Sequence, residues 1–374
     1  MTIAIVGGGL AAATTATELR KRGYDGPLVV YAAEDHVPYE RPPLSKGVLL
    51  GKAELETVFV HDADWYRDND VDLRTGARVT AIEPEEHVLR TDVDTDSFTQ
   101  LVLATGSSPR HLALADNSGK PVVYLRTIDD NQRLQAALRE KPNVTVIGGG
   151  WIGLEVASAA REAGCAVTVH EAAPLPLVAV LGPEVAQVFA DLHRRHGVDL
   201  RLGTPVSESD LAHSDLVVVG IGVAPETSLA EVAGLEVENG VLVDQFLRTS
   251  HRDIFAIGDI ANQDHPVLKQ RVRVEHWDNA IKQGRVAAHN LMGEEEPYDR
   301  QPYFFTDQYD FGMEYVGYVG PDGYDSVTID GDTAGAFRAY WVRDGIVVAA
   351  MQANDWDASD AIRASVGKPY EKGQ

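Results

Sequence analysis

Two stretches of the chain share one pattern, a short apolar run, three successive glycines and then an Ala-rich segment with helical periodicity. They are IAIVGGGLAAATTATEL at residues 3–19 and VTVIGGGWIGLEVASAA at 144–160. Apolar runs this short read as buried strands, and the segments after them as helices, so the pattern predicts two strand–turn–helix units. Residues 28–31 and the start of QLVLATGSSPR at 100–110 supply further strands to the first unit. LRTIDDNQRLQAAL at 125–138 reads as a linker and helix leading into the second, which continues through AVTVHE, VDLRL and DLVVVGIGVAPET. VLVDQFLRTSHRDIFAIGDIA at 241–261 then returns to short strands and a turn. From about Tyr298 the texture becomes aromatic alternation, as in YFFTDQYDFGMEYVGYVG and AFRAYWVRDGIVVAA, which predicts an antiparallel sheet. The expected fold is α/β, with two Rossmann-like dinucleotide-binding domains, the second inserted in the first, and a C-terminal α+β domain. The predicted boundaries are 1–111 and 241–297 for the first domain, 112–240 for the inserted one and 298–374 for the last.

The glycines have distinct tasks. Gly7 and Gly148 allow the tight turn from strand to helix, and Gly9 and Gly150 let backbone approach a pyrophosphate. Ala12 in the first copy and Gly153 in the second allow helix and strand to pack closely. The helix N-terminus then presents unpaired N–H groups and partial positive charge to a diphosphate. Each copy also has an acidic residue beyond its second strand, Glu34 and Glu171, placed to accept ribose hydroxyls.

Composition narrows the chemistry. At 374 residues the chain has material for two or three domains. Cys165 is its one cysteine, which excludes a disulfide framework, a C-x-x-C redox pair and a thiolate set for an iron–sulfur cluster or structural zinc. Electron chemistry would therefore need a bound organic cofactor. Cys165 itself reads as a small core residue. His193 and His196 in LHRRHG read as a solvated helix face, with no carboxylate or cysteine nearby to complete a metal site, so no metal is expected. The net charge of -24 argues against a nucleic-acid partner. Residues 1–9 pass straight into a buried strand, and the longest apolar run, LVVVGIGVA at 216–224, is far below spanning length. The expectation is a soluble, cytoplasmic protein with no membrane partner.

The ordered set GGGLAAA, YERPPLSK, LATG, LRT, GGGWIGLE, IFAIGD, VEHWDNA and PYFFTDQYD resembles the FAD-dependent, NADH-using ferredoxin reductases of bacterial oxygenase and haem-thiolate monooxygenase systems. The likeness covers nearly the whole chain, and YERPPLSK with VEHWDNA is its most specific part. It implies that the first domain binds FAD, the inserted one NAD, and that electrons pass from NADH through FAD, singly, to a [2Fe-2S] ferredoxin. It places Gly7, Gly9 and Ala11 at the FAD pyrophosphate, Glu34 at the adenosine ribose, Val79 at the adenine and Arg41 and Arg126 at the phosphates. It also places Thr105 and Gly106 at FAD, Asp259 at the ribityl hydroxyls with Gly258 permitting close approach, Trp277 at the pyrimidine side and Lys46 at the reactive edge, where a fixed cation favours the reduced flavin.

For NADH, the resemblance implies Gly148, Gly150 and Gly153 at the diphosphate, Ile152 among the NAD-binding residues, Glu171 at the adenosine hydroxyls and Gly222 beneath the dinucleotide. Glu155 would lie near the nicotinamide and pair with Lys46. A 2′-phosphate would meet Glu171 as like charge, which predicts NADH over NADPH. The chain departs from the family at Ala32-Ala33, where Gly-Asp is common, at Leu175, where Arg is common, and at Phe305, where Trp is common. Relatives usually continue past DAIRASVGKPYEKGQ, which implies a shortened C-terminal domain. Ferredoxins of these systems are typically acidic, so a basic patch is needed; KQRVRVEHW at 269–277 supplies Lys269, Arg271 and Arg273 as the expected docking residues. Rubredoxin reductase, monodehydroascorbate reductase, NADH oxidase and a slow flavin redox sensor remain open as alternatives on the same residues.

Overall fold

A computed structural model describes residues 1–371. These form two compact units: residues 1–40, 55–108 and 224–300 in the first, and 41–54, 109–223 and 301–371 in the second. The first is built on a five-stranded parallel sheet in the order Ile254–Ala256, Gln100–Leu103, Ile3–Val6, Leu28–Tyr31, Val71–Arg74. Its central strand is buried throughout, with Ile3 and Ile5 fully inaccessible, which explains why it reads as a continuous apolar run. Helices Leu10–Lys21 and Trp277–Leu291 pack closely enough that a Cβ on Gly284 would come within 2.9 Å of the Ala11 carbonyl oxygen.

The second unit repeats the parallel design, with Asp199–Leu202, Ala166–Glu171, Asn143–Ile147, Leu216–Val219 and Val122–Val123 in that order. In both sheets the strand carrying the glycine turn is central and the chain order reverses beside it, the topological switch point where open α/β sheets bind ligands. The expected antiparallel sheet is present, in the order Tyr303–Gln308, Phe311–Gly317, Ile346–Ala353, Phe337–Arg343, Ser326–Gly331. It belongs to the second unit, where Met313, Trp341 and Met351 share an apolar cluster with Leu154, Leu181 and Phe189.

Residues 41–54 also join the second unit, a feature absent from the boundaries expected above. The reason is a set of hydrogen bonds to the helix Ile128–Leu138: Asn131 Nδ2 donates to the Leu44 carbonyl at 2.7 Å, and Gln135 Nε2 to the Val48 carbonyl at 2.8 Å. That helix begins with a capping box, the Thr127 hydroxyl accepting from the Asp130 N–H while the Asp130 carboxylate accepts from the Thr127 N–H.

Cys165 is fully buried, as expected. His193 corrects the expectation of a solvated face: it is fully buried, its Nε2 2.8 Å from Gln308 Oε1, while the half-buried His196 stacks on Tyr309 at 3.7 Å. The helix Val178–Arg195 turns His193 inwards, and the amide of Gln308 supplies a polar partner that the local sequence does not disclose. Among the described residues no helix is long and apolar enough to cross a membrane.

Burial pushes the His193 pKa from 6.5 down to about 4. The unfolded chain then binds the proton more readily, so this histidine stabilises the fold above about pH 6.5 and that contribution disappears as pH falls towards about 4. The full contribution is about 3 kcal/mol. Denaturant unfolding across this window should show a shallower loss of stability on acidification in His193→Gln than in the parent; parallel curves would contradict the assignment.

Candidate functional site

In the first unit Gly7 has φ +137°, and a Cβ there would lie 2.1 Å from the Ala104 carbonyl oxygen on the neighbouring strand end. Gly8 is equally confined, by the Ala32 side chain at 2.5 Å. Gly9 differs. It is the N-cap of Leu10–Lys21 with ordinary extended φ, and a Cβ on it would meet no protein atom within 4 Å. Packing therefore does not require glycine there, whereas close approach of a diphosphate to the helix N-terminus does.

Most of the other residues expected at FAD lie in the same unit. The Glu34 carboxylate accepts the Tyr39 hydroxyl, and Val79 opens the strand Val79–Glu83. Thr105 Oγ1 donates to the Glu226 carbonyl at 2.7 Å, and the Gly106 carbonyl accepts the Glu226 N–H at 2.9 Å. Gly258, at φ +73°, donates its N–H to Gln283 Oε1 at 2.8 Å, and a Cβ on it would be 3.4 Å from that of Ala11. Asp259 accepts Ser107 Oγ at 2.6 Å, and Trp277 is the first residue of its helix.

The second unit reproduces the cradle with similarly close contacts. A Cβ on Gly148 would lie 2.3 Å from the Gly220 carbonyl oxygen, and one on Gly153 2.1 Å from the Gly148 carbonyl oxygen. Gly150 caps Trp151–Glu162 and its nearest potential neighbour is 3.8 Å away, while Gly222, at φ +95°, faces nothing within 4 Å. Glu171 ends its strand and bends back over the turn, accepting the N–H groups of Gly149 at 2.6 Å and Ala173 at 2.7 Å. Ile152, in the first turn of the helix, is 42% exposed. These features fit a dinucleotide: open N–H donors at a helix start, backbone bare of side chains and a fixed carboxylate beyond the second strand.

Also in the second unit, Lys46 Nζ lies 2.8 Å from Glu155 Oε2, so the expected pair is formed. The 3₁₀ turn Pro42–Ser45, started by two prolines with preset φ, delivers Ser45 and Lys46 to the helix carrying Glu155. Glu155 is buried and each oxygen is used: Oε1 accepts Thr306 Oγ1 at 2.6 Å, and Oε2 accepts the Ser45 hydroxyl as well as Lys46. Lys46 Nζ also lies 5.4 Å from the Phe305 ring centroid, within cation–π range. Arg41 Nη1 donates to the Arg126 carbonyl. Sequence reasoning missed Ser45, Thr306 and Gln308. The available signal was a pair of polar residues two apart in a strand, which places them on one face.

The expected docking residues divide. Lys269 and Arg271 are exposed, although Arg271 Nη1 also donates to the Asn262 carbonyl at 2.9 Å. Arg273 is turned inwards, its side chain 11% exposed, donating to the Asp259 carbonyl at 3.1 Å and paired with Glu275. Among the described residues one group could gather around a metal, His289 with Glu294 and Glu296; His289 also pairs with Glu18, and Glu294 with Arg22.

The family model described as pyridine nucleotide-disulphide oxidoreductase matches residues 1–284. The chain is 41% identical over 368 residues to the ferredoxin–NAD(+) reductase component of an anthranilate 1,2-dioxygenase system from Burkholderia cepacia, covering 94% of this chain and 90% of the relative. Its fold matches putidaredoxin reductase in a covalent complex with putidaredoxin at a TM-score of 0.91 and 33% identity, over 97% of this chain and 91% of the other. A ferredoxin reductase for the CYP199A2 system of Rhodopseudomonas palustris matches at 0.89 and 35% identity, over 94% and 91%.

Gly7→Ala and Gly9→Ala should separate packing from binding. Gly7→Ala places a methyl against a carbonyl at forbidden φ and should cost roughly 3 kcal/mol or more. Gly9→Ala should stay within about 1 kcal/mol of the parent in denaturant unfolding yet weaken dinucleotide retention. Equal destabilisation by both would show that Gly9 serves packing.

Proposed function

The chain belongs to the pyridine nucleotide-disulphide oxidoreductase family, and from that membership we propose that it is an FAD-dependent NADH:ferredoxin reductase serving an oxygenase or haem monooxygenase. The observation that carries the reading is the paired cradle, two glycine turns at two switch points, each with a backbone position open towards the helix N-terminus. Gly7, Gly9 and Ala11 hold the FAD pyrophosphate, Glu34 and Val79 its adenosine end, Arg41 and Arg126 its phosphates, and Thr105, Gly106, Gly258, Asp259 and Trp277 its flavin half. Gly148, Gly150, Ile152, Gly153 and Gly222 form the NADH cradle. A bound FAD supplies the conversion of hydride, delivered as an electron pair, into single electrons.

The chain's own residues supply binding, orientation and charge. Glu171 accepts ribose hydroxyls and opposes a 2′-phosphate, and its two backbone donors fix it in that position. Lys46 supplies positive charge to the reduced flavin, and Glu155 holds the ammonium in place. No general acid or base is required. With one cysteine, fully buried, the chain offers no thiol pair for disulfide chemistry, and the electrons leave to a protein acceptor. We assign the approach of an acidic ferredoxin to Lys269 and Arg271, against a net charge of -24 that otherwise repels it. Arg273 supports the turn at Asp259 instead.

The purified protein should retain FAD and be reduced anaerobically by NADH in preference to NADPH. Glu171→Arg should move that preference towards NADPH by about tenfold or more, since a like-charge contact becomes a pairing one. A parent that already favours NADPH would contradict the role of Glu171.

Lys269→Glu with Arg271→Glu should weaken ferredoxin-dependent turnover, most at low ionic strength where screening is least, and spare NADH reduction of a small artificial acceptor. Equal loss of both activities would place these residues in support of the flavin site, and no loss would move the docking surface elsewhere.

A further inference from the structure

Beyond the Lys46–Glu155 pair lies a run of buried polar side chains that the reaction as described does not use. Its direction follows from the donor and acceptor capacity of each link. The Glu155 carboxylate only accepts, so the single hydroxyl proton of Thr306 is committed to Oε1 at 2.6 Å. Thr306 Oγ1 can then only accept from Gln308, whose Nε2 lies 3.2 Å away. That turns the amide oxygen of Gln308 towards His193 Nε2, at 2.8 Å, and requires the imidazole proton to sit on Nε2. His193 Nδ1 is left as an acceptor, 3.4 Å from the Tyr309 hydroxyl. Every donor in the run points towards Glu155.

The run is buried and closed. Thr306 and His193 are fully inaccessible, and Gln308 nearly so. The backbone N–H of Tyr309 returns to Ser158 Oγ at 2.8 Å, one helical turn beyond Glu155 on Trp151–Glu162. The chain is therefore tied to that helix at Thr306 and again at Tyr309, just past the strand Tyr303–Gln308, and the helix Val178–Arg195 holds the far end through His193.

We propose that Thr306, Gln308 and His193 are positioning residues for the reductase reaction, a one-way run of donors that fixes the Glu155 carboxylate and through it the ammonium of Lys46. The inference rests on the role proposed above for Lys46. Thr306 contributes the direct bond, Gln308 prevents the Thr306 hydroxyl from turning away, and His193 fixes the orientation of Gln308. A network that merely joined three elements would work equally well with its amide reversed; one that serves Glu155 would not.

The proposal is tested on the holoprotein. Nitrogen-15 NMR of histidine-labelled protein, with His193 assigned by loss of its signals in His193→Gln, should find the proton on Nε2, and Gln308→Leu should abolish that single tautomer. Thr306→Val should slow flavin reduction by NADH by about tenfold and shift the flavin midpoint potential, while Thr306→Ser recovers most of both. A proton on Nδ1 of His193 in the parent, or an unchanged rate and potential in a folded Thr306→Val, would overturn the proposal. Protein that binds no flavin, or whose flavin NADH does not reduce, would defeat the functional reading separately; the tautomer measurement would still decide the direction of the run.

Discussion

A carbonyl oxygen pressed against a glycine is the contact on which both halves of this molecule depend. With only 2.1 Å between the Ala104 oxygen and the place a Gly7 Cβ would occupy, and 2.3 Å between the Gly220 oxygen and that of Gly148, no side chain fits between strand end and turn. That closeness lets each central strand pass directly into a helix whose first N–H groups face the switch point of its sheet. The buried sheets behind them hold the geometry, since their central strands have apolar side chains on both faces. The open positions at Gly9 and Gly150 acquire meaning only against this background, because they are places where the fold tolerates a side chain and the proposed chemistry does not.

The Lys46–Glu155 pair poses the opposite problem. Carbonyl and glycine need only avoid each other, whereas a buried carboxylate must be provided with partners. Glu155 has Lys46, Ser45 and Thr306, and removing one partner of such a pair typically costs about 3–5 kcal/mol because the other charge is left uncompensated. This demand accounts for the placement of residues 41–54 in the second unit: the Pro-rich turn brings the cation, and hydrogen bonds from Asn131 and Gln135 fix the segment that carries it. The same demand brings the antiparallel sheet into the site, through Thr306.

Much of this was legible in the sequence because it is local. Strand–glycine–helix patterns, the capping residues Thr127 and Asp130 and the aromatic alternation after Tyr298 each lie within one stretch of chain and predict their own elements. The family likeness carried the pairing of Lys46 with Glu155 across 109 positions, which no local pattern could. What escaped was long-range polar pairing. His193 looked solvated because its neighbours Arg194 and Arg195 are exposed and its partner Gln308 is 115 positions away. Arg273 looked available for docking because nothing in KQRVRVEHW shows that its guanidinium turns back to the Asp259 carbonyl. In both cases a polar side chain was drawn inwards by a partner that only the fold supplies.

The central claim is that two dinucleotide cradles on one chain turn a hydride into single electrons for a ferredoxin. Anaerobic double-mixing stopped flow tests it most directly: the flavoprotein is first reduced with one equivalent of NADH and then mixed with excess oxidised [2Fe-2S] ferredoxin. The account predicts reoxidation of the flavin with two ferredoxins reduced for each NADH consumed, since each cluster accepts one electron. Flavin that reduces with NADH but leaves ferredoxin oxidised would contradict it.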